Sequence, residues 1–127
     1  HVYFSVATLE YLARGGRIGG ATALLGSVLQ VKPILTLRQE RIEQFARERT
    51  EKPALARLRE LASEQMPHDR PGYLSVMHSA VPDKAQSLAA ELASDLHLPL
   101  ESIPLLDVPP AIVTHGGPGI VGIAFFE

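Results

Sequence analysis

Apolar positions recur along this chain at two spacings, and the switch between them separates strands from helices. Val2, Tyr3, Phe4 and Val6 form a β-branched and aromatic run that predicts a strand over 2–6. Thr8 can cap a short helix with Glu10 in its first turn, an apolar face of Leu9, Leu12 and Ala13, and Gly15-Gly16 as its end. A second helix is predicted over 21–29 (Ala21, Ala23, Leu24, Leu25, Val28, Leu29). It carries no charge, so it is buried on most sides, as a core helix or as the wall of a ligand tunnel.

Past Pro33, residues 34–38 and 41–47 read as two strands around a Gln39-Glu40 turn. The second should alternate, with Arg41, Glu43 and Arg47 toward solvent. Thr50 is a candidate N-cap for a helix over 52–65 with Leu55, Leu58, Leu61 and Ala62 on its apolar face. A loop over 66–72 leads to a strand at 73–78. Pro82 suits the first turn of a helix whose stripe is Ala85, Leu88, Ala89, Leu92, Ala93 and Leu96. Residues 102–108 predict an edge strand, since Pro104 cannot donate to a ladder. Strand, helix and strand from 73 to 108 make a βαβ unit. Pro109-Pro110 breaks it, and a last strand follows Gly119. The fold class expected is α/β (mixed α+β): helices packed on a mixed sheet of about five to six strands.

Length and composition narrow the function. A chain of 127 residues fits one domain. With 46% hydrophobic and 20% charged residues it is ordinary for a globular protein. A formal net charge of -2 exerts no general pull on nucleic acid or anionic membrane, and no apolar run is long enough to span a bilayer. The absence of cysteine removes disulfides, thiolate metal sites and cysteine nucleophiles, and fits a cytoplasmic protein. The chain begins directly on an apolar run after His1, so it is expected to be a fragment whose upstream part is missing. Its apolar face would then be open to self-association.

Candidate chemistry concentrates in a few places. Val113-Thr114-His115-Gly116-Gly117-Pro118-Gly119 sets a titratable ring and three glycines between two apolar runs. Glycine permits positive φ and close approach of a ligand to the backbone, and a histidine adds a donor, so the turn suits a carboxylate or phosphate; it could equally be a plain connecting turn. Arg17 sits between two glycine pairs, and Arg47 and Arg49 lie where strand gives way to helix; both arginines could hold a phosphate or an acidic partner surface. Other chemistry fails on spacing. Gly15-Gly16-Arg17-Ile18-Gly19-Gly20 does not fit GxGxxG, and Ala21 stands where a phosphate loop needs lysine. His115-Gly116-Gly117 has no GxSxG serine to serve as an esterase oxyanion loop. The five histidines show no metal-ligand spacing, so no metal is expected. An enzyme acting on a phosphorylated or carboxylated metabolite, with His115 as general acid/base, remains the alternative to a binding module, although no second catalytic group is evident.

Several of these segments together resemble the bacterial DegV family: 8–19 (Thr-Leu-Glu-Tyr-Leu-Ala-Arg-Gly-Gly-Arg-Ile-Gly), Leu24-Leu25-Gly26-Ser27, Lys32-Pro33-Ile34-Leu35, Arg47-Glu48-Arg49-Thr50, His78-Ser79-Ala80 and His115-Gly116-Gly117-Pro118-Gly119. The likeness covers essentially the whole chain. It implies longer, two-domain proteins that bind a long-chain fatty acid, several of them as the lipid-holding subunit of bacterial fatty acid kinase. A separate kinase subunit then forms the acyl phosphate. On this resemblance residues 1–127 are a DegV-like C-terminal lipid-binding domain, non-catalytic and without cofactor, metal, nucleic acid or stable membrane insertion. Arg17, His115, Gly116 and Gly117 face the carboxylate of a ligand such as palmitate or oleate. Arg49 and Arg47 face the kinase subunit, and Leu24, Leu25 and Val28 line the acyl tunnel.

Overall fold

The computed structural model describes residues 1–16, 32–39, 41–67, 72–108 and 116–126. The expected helix over 21–29 and the 109–110 break lie outside them. Six strands form one sheet: β1 (Val2–Ser5), β2 (Lys32–Arg38), β3 (Arg41–Glu48), β4 (Tyr73–His78), β5 (Leu105–Asp107) and β6 (Val121–Phe126), in the order β3-β2-β1-β6-β4-β5. Among the described residues only β4 and β5 run parallel; the other pairs are antiparallel. The helices among the described residues are α1 (Glu10–Arg14), α2 (Glu51–Gln65) and α3 (Pro82–Leu96).

Strand alternation splits the apolar residues between two faces. Tyr3, Ile34, Val76, Val121, Ile123 and Phe125 pack on Leu58, Leu61, Leu88 and Leu92 of α2 and α3, which cover one face. Each such side chain, fully buried, contributes about 1.5–3 kcal/mol. The Tyr3 hydroxyl donates to Gln65 Oε1 at 2.9 Å, so the ring is buried without an orphaned polar end. On the other face Val6, Leu12, Leu35, Val108 and Ile120 form a smaller cluster with Phe4, Leu9, Ile42 and Met77.

Helix ends follow the local chemistry. Pro82 occupies the first turn of α3, and His97, at φ 54°, closes it: Leu98 N–H reaches the Ala93 carbonyl at 2.9 Å. Thr50 does precede α2, in extended conformation, but its side chain makes no cap hydrogen bond. Leu9 rather than Thr8 is the residue before α1, and the Thr8 hydroxyl accepts the Glu10 N–H at 3.3 Å. Arg59 of α2 ties down α3, with Nε and Nη2 on the Asp95 carboxylate at 2.7 and 2.8 Å and Nη1 on Glu91 at 3.1 Å.

Two strand expectations need correction. Strand β3 does not alternate strictly, because the register with β2 shifts between Ile34 and Leu35. Ile34 pairs with Ala46 and Leu35 with Gln44, so Phe45 is the extra residue of a bulge and its ring meets Tyr3 edge-on. The strand expected over 102–108 is only Leu105–Asp107, since Leu100–Ser102 coil into a 3₁₀ turn. It is an edge strand, as expected from Pro104.

Candidate functional site

One end of the sheet gathers the segments that carry chemistry. The strand directions bring there the last residues of β1, β3, β4 and β5 and the first residues of β2 and β6. The register fixes a row across four strands: Ser5 opposite Val121, Val121 opposite His78, His78 beside Asp107. Lys32 and Glu48 continue that end on the neighbouring pair. Chain connections leaving this row therefore lie side by side, though far apart in sequence.

The glycine turn lies immediately before β6. Gly116 and Gly117 are buried. Gly117 has φ 79° and Gly119 φ 88°, values that suit glycine and cost other residues about 1–2 kcal/mol. Both also stand where a side chain would collide: a Cβ on Gly117 would lie 2.4 Å from Tyr11 Cδ2, and one on Gly119 2.8 Å from Ala7 Cβ. The segment after β1 thus packs against one side of the turn. The loop after β4 holds the other side: Gly119 N–H donates to the Ser79 carbonyl at 2.8 Å, and Ser79 N–H to the Ile120 carbonyl at 2.9 Å.

Around the turn stand charged and titratable groups. Lys32 Nζ donates to the Ala7 carbonyl at 3.1 Å, and Lys84 of α3 pairs with Glu51 of α2. Ser5, Ala7, Lys32, Glu51, Lys84 and Gly119 edge a cleft of about 110 Å³. That is well below the roughly 300 Å³ at which small-molecule pockets begin, so it could take a polar head group but not a long tail. His78 Nδ1 accepts the Val81 N–H at 3.3 Å, which in the neutral ring leaves the proton on Nε2, facing Asp107 Oδ1 at 3.3 Å. The ring is nearly buried while Asp107 is open to solvent.

Of the residues singled out in the sequence, Gly116 and Gly117 lie in the turn before β6, and Arg47 and Arg49 lie exposed at and just past the end of β3 at the same end of the sheet. Neither arginine forms an ion pair with another described residue. Arg17, His115, Leu24, Leu25 and Val28 lie outside the described residues. Sequence reasoning missed the His78–Asp107 pair and the Tyr11–Gly117 contact. The first had a faint signal, a histidine and an aspartate each ending a strand of the same βαβ unit; the second joins residues too distant for any spacing rule. Among the described residues no helix is long and apolar enough to cross a membrane, and no cluster of three or more His, Cys, Asp or Glu could hold a metal ion.

Comparison with known proteins aligns the whole chain with one family. A family profile described as the DegV family of uncharacterised proteins matches residues 1–127. A DegV domain-containing protein of Streptomyces coelicolor is 45% identical over 121 residues, 95% of this chain and 42% of that protein. A fatty-acid-binding DegV family protein of Streptococcus agalactiae superposes with a TM-score of 0.85 at 32% identity, covering 98% of this chain and 43% of that one. A DegV family protein of Thermus thermophilus, whose structure is described as fatty acid binding, gives 0.84 at 37% identity, with 100% and 45% covered. The chain thus spans less than half the length of these relatives.

Proposed function

Since this chain belongs to the DegV family, we propose that it binds a long-chain fatty acid and presents it to a separate kinase subunit for acyl phosphate formation. The observation that carries the first part is the likeness to two fatty-acid-binding relatives at 32% and 37% identity with nearly identical folds. The sheet-end geometry supports the placing of a polar group there, because the glycine turn is held on two sides and ends next to a small cleft edged by Lys32 and by the Lys84–Glu51 pair. On this reading Arg17 and His115, with the backbone at Gly116 and Gly117, receive the carboxylate. Burying a carboxylate is costly unless it is paired and hydrogen-bonded, which is the role of an arginine and a histidine there.

The tail runs in an apolar tunnel lined by Leu24, Leu25 and Val28, within the charge-free run over 21–29. Each buried CH₂ contributes about 0.8 kcal/mol, so the tail supplies most of the affinity. Residues 1–127 serve as the C-terminal lipid-binding domain of the whole cytoplasmic protein, which is a carrier and not itself a catalyst. The exposed Arg49 and Arg47 face the kinase subunit. The test is Arg49→Ala in the full-length protein, assayed with its kinase: acyl phosphate formation should fall while oleate affinity is kept. Loss of oleate binding would refute the partner-facing role of Arg49.

A further inference from the structure

We propose that the cleft at this sheet end binds a phosphate group, at a site separate from that of the fatty-acid carboxylate and independent of the fatty-acid reading. Its walls come from four parts of the fold: Ser5 ends β1, Lys32 opens β2, and Glu51 and Lys84 stand in the first turns of α2 and α3.

Ser5 carries the inference. It is only 9% exposed and lies on the helix-covered face of β1, two residues from the core residue Tyr3. Its hydroxyl forms no hydrogen bond with another described residue. Yet among the described residues no side-chain oxygen or nitrogen is both sealed from solvent and unbonded. The hydroxyl therefore opens onto the cleft that Ser5 lines, and a donor so deeply set calls for a partner there.

The surrounding charge selects an anion. Helices α2 and α3 are each 15 residues long, and their first turns edge the cleft together, so two positive helix ends meet at it. Thr50, before α2, makes no side-chain cap hydrogen bond. Lys32 Nζ uses one donor on the Ala7 carbonyl and Lys84 Nζ one on Glu51; an ammonium has three, so both lysines keep donors for a ligand. Glu51 is the one carboxylate among the described residues lining the cleft, and by pairing with Lys84 it competes with any incoming anion. A volume of about 110 Å³ equals three to four waters at roughly 30 Å³ each, the scale of a tetrahedral oxyanion. Phosphate carries more charge than a carboxylate and has more acceptor oxygens, enough to meet the hydroxyl and both ammonium groups at once.

Calorimetric titration of the full-length protein at fixed ionic strength tests this, with inorganic phosphate and glycerol 3-phosphate as probes and no fatty acid added. Wild type should bind at least one probe saturably below about 10 mM. An ester bound as tightly as the ion, or more tightly, assigns the site to a phosphate carried on a larger molecule; an ester bound more weakly assigns it to the free ion. Ser5→Ala and Lys84→Gln should each weaken binding about tenfold, the loss of one hydrogen bond to a charged group. Glu51→Gln should instead tighten it at least about twofold by releasing Lys84, a gain that misfolding cannot produce. No saturable binding of either probe overturns the proposal, and so does wild-type affinity in Ser5→Ala or Lys84→Gln, or weaker binding in Glu51→Gln. Oleate binding is read separately, so its failure would refute the fatty-acid reading and leave the phosphate site standing.

Discussion

Ser79 and Gly119 are joined by a hydrogen bond of 2.8 Å from the Gly119 amide to the Ser79 carbonyl, so the turn that enters β6 is fastened to the loop that leaves β4. Ser79 returns its own N–H to Ile120 at 2.9 Å. Both bonds extend the β4–β6 ladder one step past His78 and Val121. The turn is therefore an extension of the sheet, with its conformation set by the strands beneath it.

Gly119→Ala should destabilise the protein by about 2–3 kcal/mol, through left-handed strain plus overpacking. The backbone has φ 88° and the new Cβ would lie 2.8 Å from that of Ala7. Urea unfolding should show a lower midpoint with an unchanged slope.

Gly122→Ala should cost about 1–3 kcal/mol for a different reason. There the Cβ would meet Phe4 Cβ at 2.6 Å and the Tyr3 carbonyl oxygen at 2.8 Å, and the backbone of β1 cannot move without breaking its pairing with β6. Hydrogen exchange should rise first at Val2–Ser5 and Val121–Phe126.

Core and surface leucines should separate cleanly. Leu58 is fully buried between α2 and the sheet, so Leu58→Ala should cost about 2–5 kcal/mol. Leu106, on the edge strand, is exposed, and Leu106→Ala should change stability by less than about 0.5 kcal/mol.

The hydrogen bonds from Arg59 hold Asp95 below the usual carboxylate range, and the same bonds raise Arg59. A carboxylate depressed on folding adds stability above its unfolded pKa, and that stability is lost as pH falls through the folded value. Asp95→Asn should therefore cost about 0.5–1 kcal/mol at neutral pH, as a bidentate surface pair does, and nothing once Asp95 is protonated in wild type. Urea melts at neutral and strongly acidic pH check the difference.

Much of the scaffold was legible in the sequence, and the reasons are local. Tyr73–His78 and Pro82–Leu96 appear at the expected places because a short, largely apolar run, a first-turn proline and a clean helical stripe all agree. The bulge at Phe45 was not legible, since it depends on how β2 and β3 register against the core. Nor was the short β5, where side-chain chemistry around Pro99 favours a 3₁₀ turn: Ser102 Oγ donates to the Pro99 carbonyl at 2.6 Å. The site was half legible. Its glycines and arginines stood out by residue type, whereas the partners Tyr11, Ala7 and Ser79 are assigned only by strand order.

The central claim, that a protein of this family holds a fatty acid at this sheet end, is tested most directly by native mass spectrometry of the full-length protein. The expected result is a bound species heavier by one long-chain fatty acid, either as purified or after incubation with palmitate or oleate. Spectra showing only the unliganded protein after incubation with both acids would contradict the account.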